Sequence, residues 1–99
     1  MTTSIEAQID AATIELEITF ALIQMDLRPT GFGLAVANNG RLVRQIEQGR
    51  VPRPPMIQRI RKHIANERFS RGLAPVAPRD VIPALEAYLA RLRLVANDN

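Results

Sequence analysis

The stretch from Thr30 to Arg50, TGFGLAVANNGRLVRQIEQGR, constrains the fold more than any other part of the chain. It reads as two short helical patterns separated by a polar break. Phe32 and Val36 stand four apart among the small residues Gly33, Ala35 and Ala37; Asn38-Asn39-Gly40 follows; Leu42, Val43 and Ile46 then form a second stripe that stops at Gly49. Side chains three and four apart share a helix face, so each piece carries one narrow apolar stripe. Helices this short are marginal on their own. They need other helices to pack on, and the flanking sequence has the periodicity to supply them.

Upstream, Thr3 and Glu6 have capping-box spacing and would start a helix near Ser4. Ile5, Ile9, Ala12, Leu16, Phe20, Ile23 and Leu27 recur every three or four residues, with Ile14, Ile18, Leu22 and Met25 as a second stripe beside them. A helix over residues 4–27 fits, although Ile14 to Phe20 also alternates as a half-buried strand would. Helix is preferred because no turn signal interrupts the segment and no partner strand occurs elsewhere. Glu6, Asp10 and Glu17 would form its wet face. Its apolar surface exceeds what one small core needs, so part of it could pack on a second copy of the chain.

Pro29 disfavours helical backbone at Arg28, and Thr30 can cap a second helix at Gly31–Ala37. Gly33 weakens that helix by about 1 kcal/mol relative to alanine, which implies close approach of another helix backbone. Asn39 suits the N-cap of a third helix, Gly40–Gln48, and Gly49 the left-handed position beyond it. Residues Arg50 to Pro55 form an extended connector. A fourth helix, Pro55–Glu67, would bury Met56, Ile57, Ile60 and Ile64 and turn Arg59, Arg61, Lys62 and Arg68 outward. After a loop over 70–79, Asp80 can cap a last helix, 80–95, whose stripe is Val81, Leu85, Tyr88, Leu89 and Leu92; Ala96 to Asn99 should fray. The expected fold is all-α, about five helices, with residues 1–99 forming one domain.

Composition removes several function classes. The chain has no cysteine, so disulfides and thiolate metal sites are out. No apolar run approaches the roughly 18 residues that would span a bilayer, and the acidic N-terminus lacks the basic start of a signal peptide. A cytoplasmic protein is expected. His63, the single histidine, makes no metal site and has no nucleophile beside it in sequence. Neither a carboxylate pair nor a phosphate-cradling glycine loop stands out. No catalytic residue, metal, cofactor or small-molecule substrate is therefore expected. Charge is the informative quantity. Residues 1–27 hold five acidic side chains and no basic one, whereas residues 28–71 hold nine arginines and Lys62 against Glu47 and Glu67. A positive middle built around two short helices suggests a polyanionic partner; a merely solvated basic face is the bland alternative.

The central register resembles the helix-turn-helix of the phage Cro/C1-repressor (Xre-like) family, over about residues 14–66. Phe32 stands at the hydrophobic position of the first motif helix, Gly33 at the small position that lets the two helices touch, and Val36 at the next core position. Val43 and Ile46 match the core positions of the second helix, and Ile46-Glu47-Gln48-Gly49 resembles the family's Ile-Glu-x-Gly ending. Ala37-Asn38 departs from the usual glycine and apolar residue of the turn, and the first motif helix lacks a glutamine near its start.

The resemblance implies sequence-specific binding of double-stranded DNA by a repressor-like transcriptional regulator. The major groove is about 12 Å wide and admits one helix, which a second helix must brace at the phosphate backbone. Asn39, Arg41, Arg44 and Gln45 are the candidate base-reading residues, and Thr30, Gln48, Arg50 and Arg53 the candidate phosphate contacts. A homodimer on an inverted repeat is expected, with Leu85, Tyr88, Leu89 and Leu92 as interface candidates. The alternatives are a helical protein-interaction module, of antiactivator or antitoxin type, and a DNA-bending recombination accessory factor.

Overall fold

The link from Met25 to Pro29 shows how local chemistry sets the architecture. A computed structural model describes the backbone of residues 5–97 and the side chains of residues 12–96. The first helix, α1 (Ile5–Met25), ends when Asp26 adopts left-handed backbone at φ 52°, which lets the Leu27 N–H donate back to the Leu22 carbonyl at 2.9 Å. Arg28 is then extended (φ −87°, ψ 137°), as a residue before proline must be, and Pro29 opens α2 (Pro29–Ala37) at a position where its missing N–H costs nothing. Three further helices follow: α3 (Leu42–Glu47), α4 (Pro54–Ser70) and α5 (Val81–Asn97), the last entered through a single 3-10 turn at Pro78–Asp80. The protein is all-α with these five helices, and no strand occurs among the described residues. The alternation at Ile14 to Phe20 lies within α1.

Several expected boundaries shift, each for a local reason. Thr30 does not cap α2: the helix begins two residues earlier than expected, at Pro29, so Thr30 lies inside its first turn. Helix α3 is shorter than Gly40–Gln48 because Gly40 and Arg41 form a turn rather than helix. Helix α4 starts at Pro54, since two prolines can share its first turn, and continues to Ser70. Asp80 is part of the 3-10 turn instead of a free-standing cap. Helix α5 runs past the expected fray at Ala96 to Asn97. The expected capping box at Thr3 falls outside the described residues.

The core is one apolar cluster, aliphatic apart from Phe32 and Met25. Ile14, Ile18, Ala21 and Met25 of α1, Phe32 and Val36 of α2, Leu42, Val43 and Ile46 of α3, and Ile57, Ile60 and Ile64 of α4 converge there. Met56 only packs against its edge. Of the two stripes on α1, it is the one through Ile14 and Ile18 that enters this cluster; Ile23 on the other is 43% exposed. Phe20 faces a second layer, where the Tyr88 ring of α5 lies 5.9 Å from its own and Val81 is fully covered. Helix α1 thus has the α3–α4 layer on one side and α5 on the other.

Polar contacts join α1 to α4, and they correct three expectations, since Glu17, Arg61 and Arg68 all turn toward the interface. Glu17 is buried rather than wet: Arg61 grips it with Nε to Oε1 and Nη2 to Oε2, both at 2.9 Å. Arg68 points inward rather than outward. Its Nε donates to Gln24 Oε1 at 2.9 Å, and its guanidinium carbon sits 5.1 Å from the centre of the Phe20 ring. Burial draws the Arg68 pKa below its usual value, against the opposing pull of the Glu17 carboxylate.

The closest packing is at Gly33. A Cβ there would lie 2.2 Å from the Asn39 carbonyl oxygen and 3.2 Å from Leu42 Cβ, so no side chain fits without moving backbone. Gly31, two residues earlier on α2, faces open space. Gly33→Ala should therefore destabilise the protein by about 1–3 kcal/mol. Gly31→Ala should stabilise it by about 0.4–1 kcal/mol through the unfolded chain. Urea denaturation of the two variants checks the opposite signs.

Candidate nucleic-acid interface

Helix α3 has only six residues, LVRQIE, and packing rather than intrinsic propensity fixes it. Leu42, Val43 and Ile46 are buried against α1 and α2, which leaves Arg41, Arg44, Gln45 and Gln48 on the outer side. The turn before it is set by two asparagines. Asn38 takes the left-handed conformation at φ 51°, so the Asn39 N–H can reach the Gly33 carbonyl at 3.2 Å. Asn39 Oδ1 accepts the Arg41 N–H at 3.0 Å, and the Asn39 carbonyl accepts the Leu42 N–H at 3.2 Å. The asparagine expected to cap α3 directly instead shapes the turn two residues ahead of it. At the other end Gly49, at φ 103°, closes the helix and lets the Arg50 N–H donate to the Gln45 carbonyl at 3.0 Å.

Two clefts flank this helix. One is lined by Thr30, Asn39, Arg41, Arg44 and Glu47, together with Pro29 and Gly40. The other, of about 370 Å³, is lined by Asn39, Gln45, Arg50 and Arg53 with Pro52 and Met56. Seven of the eight DNA-contact candidates are thereby gathered on the two sides of α3, with Asn39 common to both. Gln48 belongs to neither cleft; it is exposed at the C-terminal end of the helix. The four interface candidates lie apart on α5. Leu85 and Tyr88 are half-buried, whereas Leu89 and Leu92 are exposed.

Within the second cleft the polar side chains are already bonded to one another. Asn39 Nδ2 donates to Gln45 Oε1 at 3.2 Å, and Arg50 Nη1 donates to the same oxygen at 3.1 Å. The arginines of α4 differ from those on α3 and its flanks. Those of α4 are engaged within the fold: Arg59 Nη2 donates to the Val36 carbonyl at 2.8 Å, Arg61 holds Glu17, and Arg68 holds Gln24. Just beyond α4, Arg71 pairs with Glu67. Arg41, Arg44, Arg50 and Arg53 are exposed, and none has an ion-pair partner among the described residues.

The Arg59 bond is a contact that sequence periodicity does not reveal. It satisfies a carbonyl in the last turn of α2, which has no partner within its own helix, and so ties α4 to the start of the turn. His63, on the same helix, places its ring edge-on to Phe32 at 5.4 Å and lies 3.9 Å from Glu67. None of the described helices is long and apolar enough to cross a membrane. Comparison with protein-family models, with curated proteins and with solved structures finds no match. The case for a function therefore rests on the geometry.

Asn39→Ala removes both the bond to the Arg41 N–H and the bond to Gln45. It should cost about 1–2 kcal/mol of stability in urea denaturation. Gln48→Ala, at an exposed site, should stay within about 0.5 kcal/mol of the parent.

Proposed function

We propose that the protein is a repressor-like transcriptional regulator that binds specific double-stranded DNA by inserting α3 into the major groove. The observation that carries this reading is the division of the arginines. Those on α4 satisfy carbonyls and acids inside the fold, while Arg41, Arg44, Arg50 and Arg53 surround an outward-facing helix without anionic partners among the described residues. An exposed ion pair is worth only about 0–1 kcal/mol, so the fold loses little by leaving these side chains free to meet a partner. A duplex offers one negative charge per roughly 1.7 Å of axis to meet them. The resemblance to the Cro/C1-type helix-turn-helix points the same way.

In this reading Arg41, Arg44 and Gln45 meet base edges, with Asn39 beside them. Arg50 and Arg53 hold the sugar-phosphate edge on one side. Thr30 approaches it on the other, where the first-turn N–H groups of α2 lack helical partners. Gln48 is a rim contact. The protein acts in the cytoplasm on nucleoid DNA. Binding of operator DNA by one such module covers only about 600–1,000 Å², and a homodimer on an inverted repeat doubles the contacts. The exposed Leu89 and Leu92 of α5, with Ile82 a heptad before Leu89, form a stripe suited to a second copy.

Two measurements test this. Arg44→Ala should weaken binding to the selected operator by roughly 5- to 150-fold and binding to random duplex far less. Wild-type affinity should also fall steeply, by about three to five decades between 50 and 200 mM salt if a dimer neutralises six to ten phosphates. Equal losses on both duplexes would make Arg44 a backbone contact, and salt-insensitive binding would remove the DNA reading. Separately, Leu89→Glu should yield a monomer by sedimentation with unchanged far-UV circular dichroism and weaker operator binding. A wild-type chain that is monomeric on its operator would remove the dimer.

A further inference from the structure

The hydrogen bonds around Gln45 have a fixed direction, and that direction limits which base it can read. The Arg41 backbone N–H can only donate, so the side-chain atom of Asn39 that meets it at 3.0 Å is the oxygen. The amide nitrogen of Asn39 is then the end that faces Gln45, at 3.2 Å. The Arg50 guanidinium, also donor-only, meets the same Gln45 atom at 3.1 Å. That atom must be an oxygen. Turning the Gln45 amide over would set its NH₂ against two donors, and turning Asn39 over would set its NH₂ against the Arg41 N–H. Each amide is thus oriented by a neighbour that can only donate, the Arg41 N–H for Asn39 and the Arg50 guanidinium for Gln45. The free end of Gln45 is therefore its Nε2, with two N–H donors and no acceptor.

Arg41 and Arg44, both exposed beside it, are also donor-only. The outer face of α3 thus presents donors from three neighbouring side chains. Guanine alone shows two acceptors on its major-groove edge, N7 and O6; adenine pairs an acceptor with an N6 donor, and cytosine shows an N4 donor. Resting on the DNA-binding reading above, we propose that the operator half-site is guanine-rich under Arg41, Arg44 and Gln45. Asn39 does not read adenine itself but acts as a positioning residue that, with Arg50, sets the reading polarity of Gln45.

The test is selection of bound sites from a randomised duplex pool with the full wild-type chain. In parallel, the same selection uses Gln45→Glu and the double variant Asn39→Ala/Arg50→Ala. Wild type should enrich guanines clustered within each half-site. Gln45→Glu keeps an oxygen for Asn39 and Arg50 while replacing the outward donors by an acceptor. One guanine should therefore change to cytosine, whose N4 donates, with roughly 5- to 150-fold exchange in relative affinity. The double variant frees the Gln45 oxygen, so that same position should admit adenine while its neighbours stay guanine. A double variant that binds more weakly at every position with its base preferences unchanged overturns the positioning role of Asn39 and Arg50. An enriched wild-type site with adenine or cytosine at these positions overturns the proposal and leaves DNA reading intact. A Gln45→Glu selection identical to wild type also overturns it. Absence of any enriched site overturns DNA reading and this proposal together.

Discussion

The contact between Gly33 and the Asn39 carbonyl governs the arrangement of everything the site uses. Because Gly33 has no Cβ, the turn after α2 can fold back until its backbone touches the helix that precedes it. Asn38 in the left-handed conformation makes the reversal, and the Gly33 carbonyl itself accepts the Asn39 N–H that completes it. Leu42 then falls against the same glycine, which commits the apolar side of α3 to the core and its arginines to solvent. A larger residue at this position would change the angle at which α3 leaves the body. A glycine that lowers helix propensity is retained because the packing it permits outweighs that loss.

The charges follow from the same economy of space. Helix α1 is a long acidic helix lying across a basic one, and charges in the buried part of that interface need partners, although Arg68 Nη2 is buried there without one. Removing one partner from a buried pair typically costs 3–5 kcal/mol, because the remaining charge is stranded away from water. Arg61 and Glu17 therefore meet in a two-point grip, and Arg68 finds Gln24 and the face of Phe20. Around α3 no such demand exists, since Arg41, Arg44, Arg50 and Arg53 remain in water. The bulk positive charge of residues 28–71 thus overstates the surface a polyanion would meet. Part of it is internal scaffolding; of the rest, Arg41, Arg44, Arg50 and Arg53 lie on α3 and its flanks, while Arg28 and Lys62 are exposed elsewhere.

Which features were legible in the sequence depends on the range of the interactions that fix them. Apolar spacing of three and four placed all five helices, and Pro29 and Gly49 marked ends while Pro55 fell one residue inside the start of α4, because caps and breaks are local events. The glycine at position 33 signalled a close approach, although the partner is the carbonyl of a turn rather than another helix. The bonds from Arg61 to Glu17 and from Arg68 to Gln24 each span 44 residues, and that from Arg59 to Val36 spans 23. No periodicity encodes them, so side chains that look outward on a helical wheel turn inward. Of the two stripes on α1, neither outranks the other in sequence; the choice is made by where α4 and α5 arrive.

The network through Asn39, Gln45 and Arg50 joins these scales. A helix of one and a half turns has little stiffness of its own, and long polar side chains on its surface would ordinarily lose about 0.5–1.5 kcal/mol each in rotamer freedom on binding a partner. Here Gln45 is already held from two sides, and the residues holding it lie on the turn before α3 and the connector after it. The same bonds that brace both ends of the helix fix the orientation of a reading group. Orientation of one amide is thus coupled to the backbone geometry that Gly33 permits. A substitution that loosened the turn would change not only how firmly α3 is held but also which hydrogen-bonding end of Gln45 faces outward.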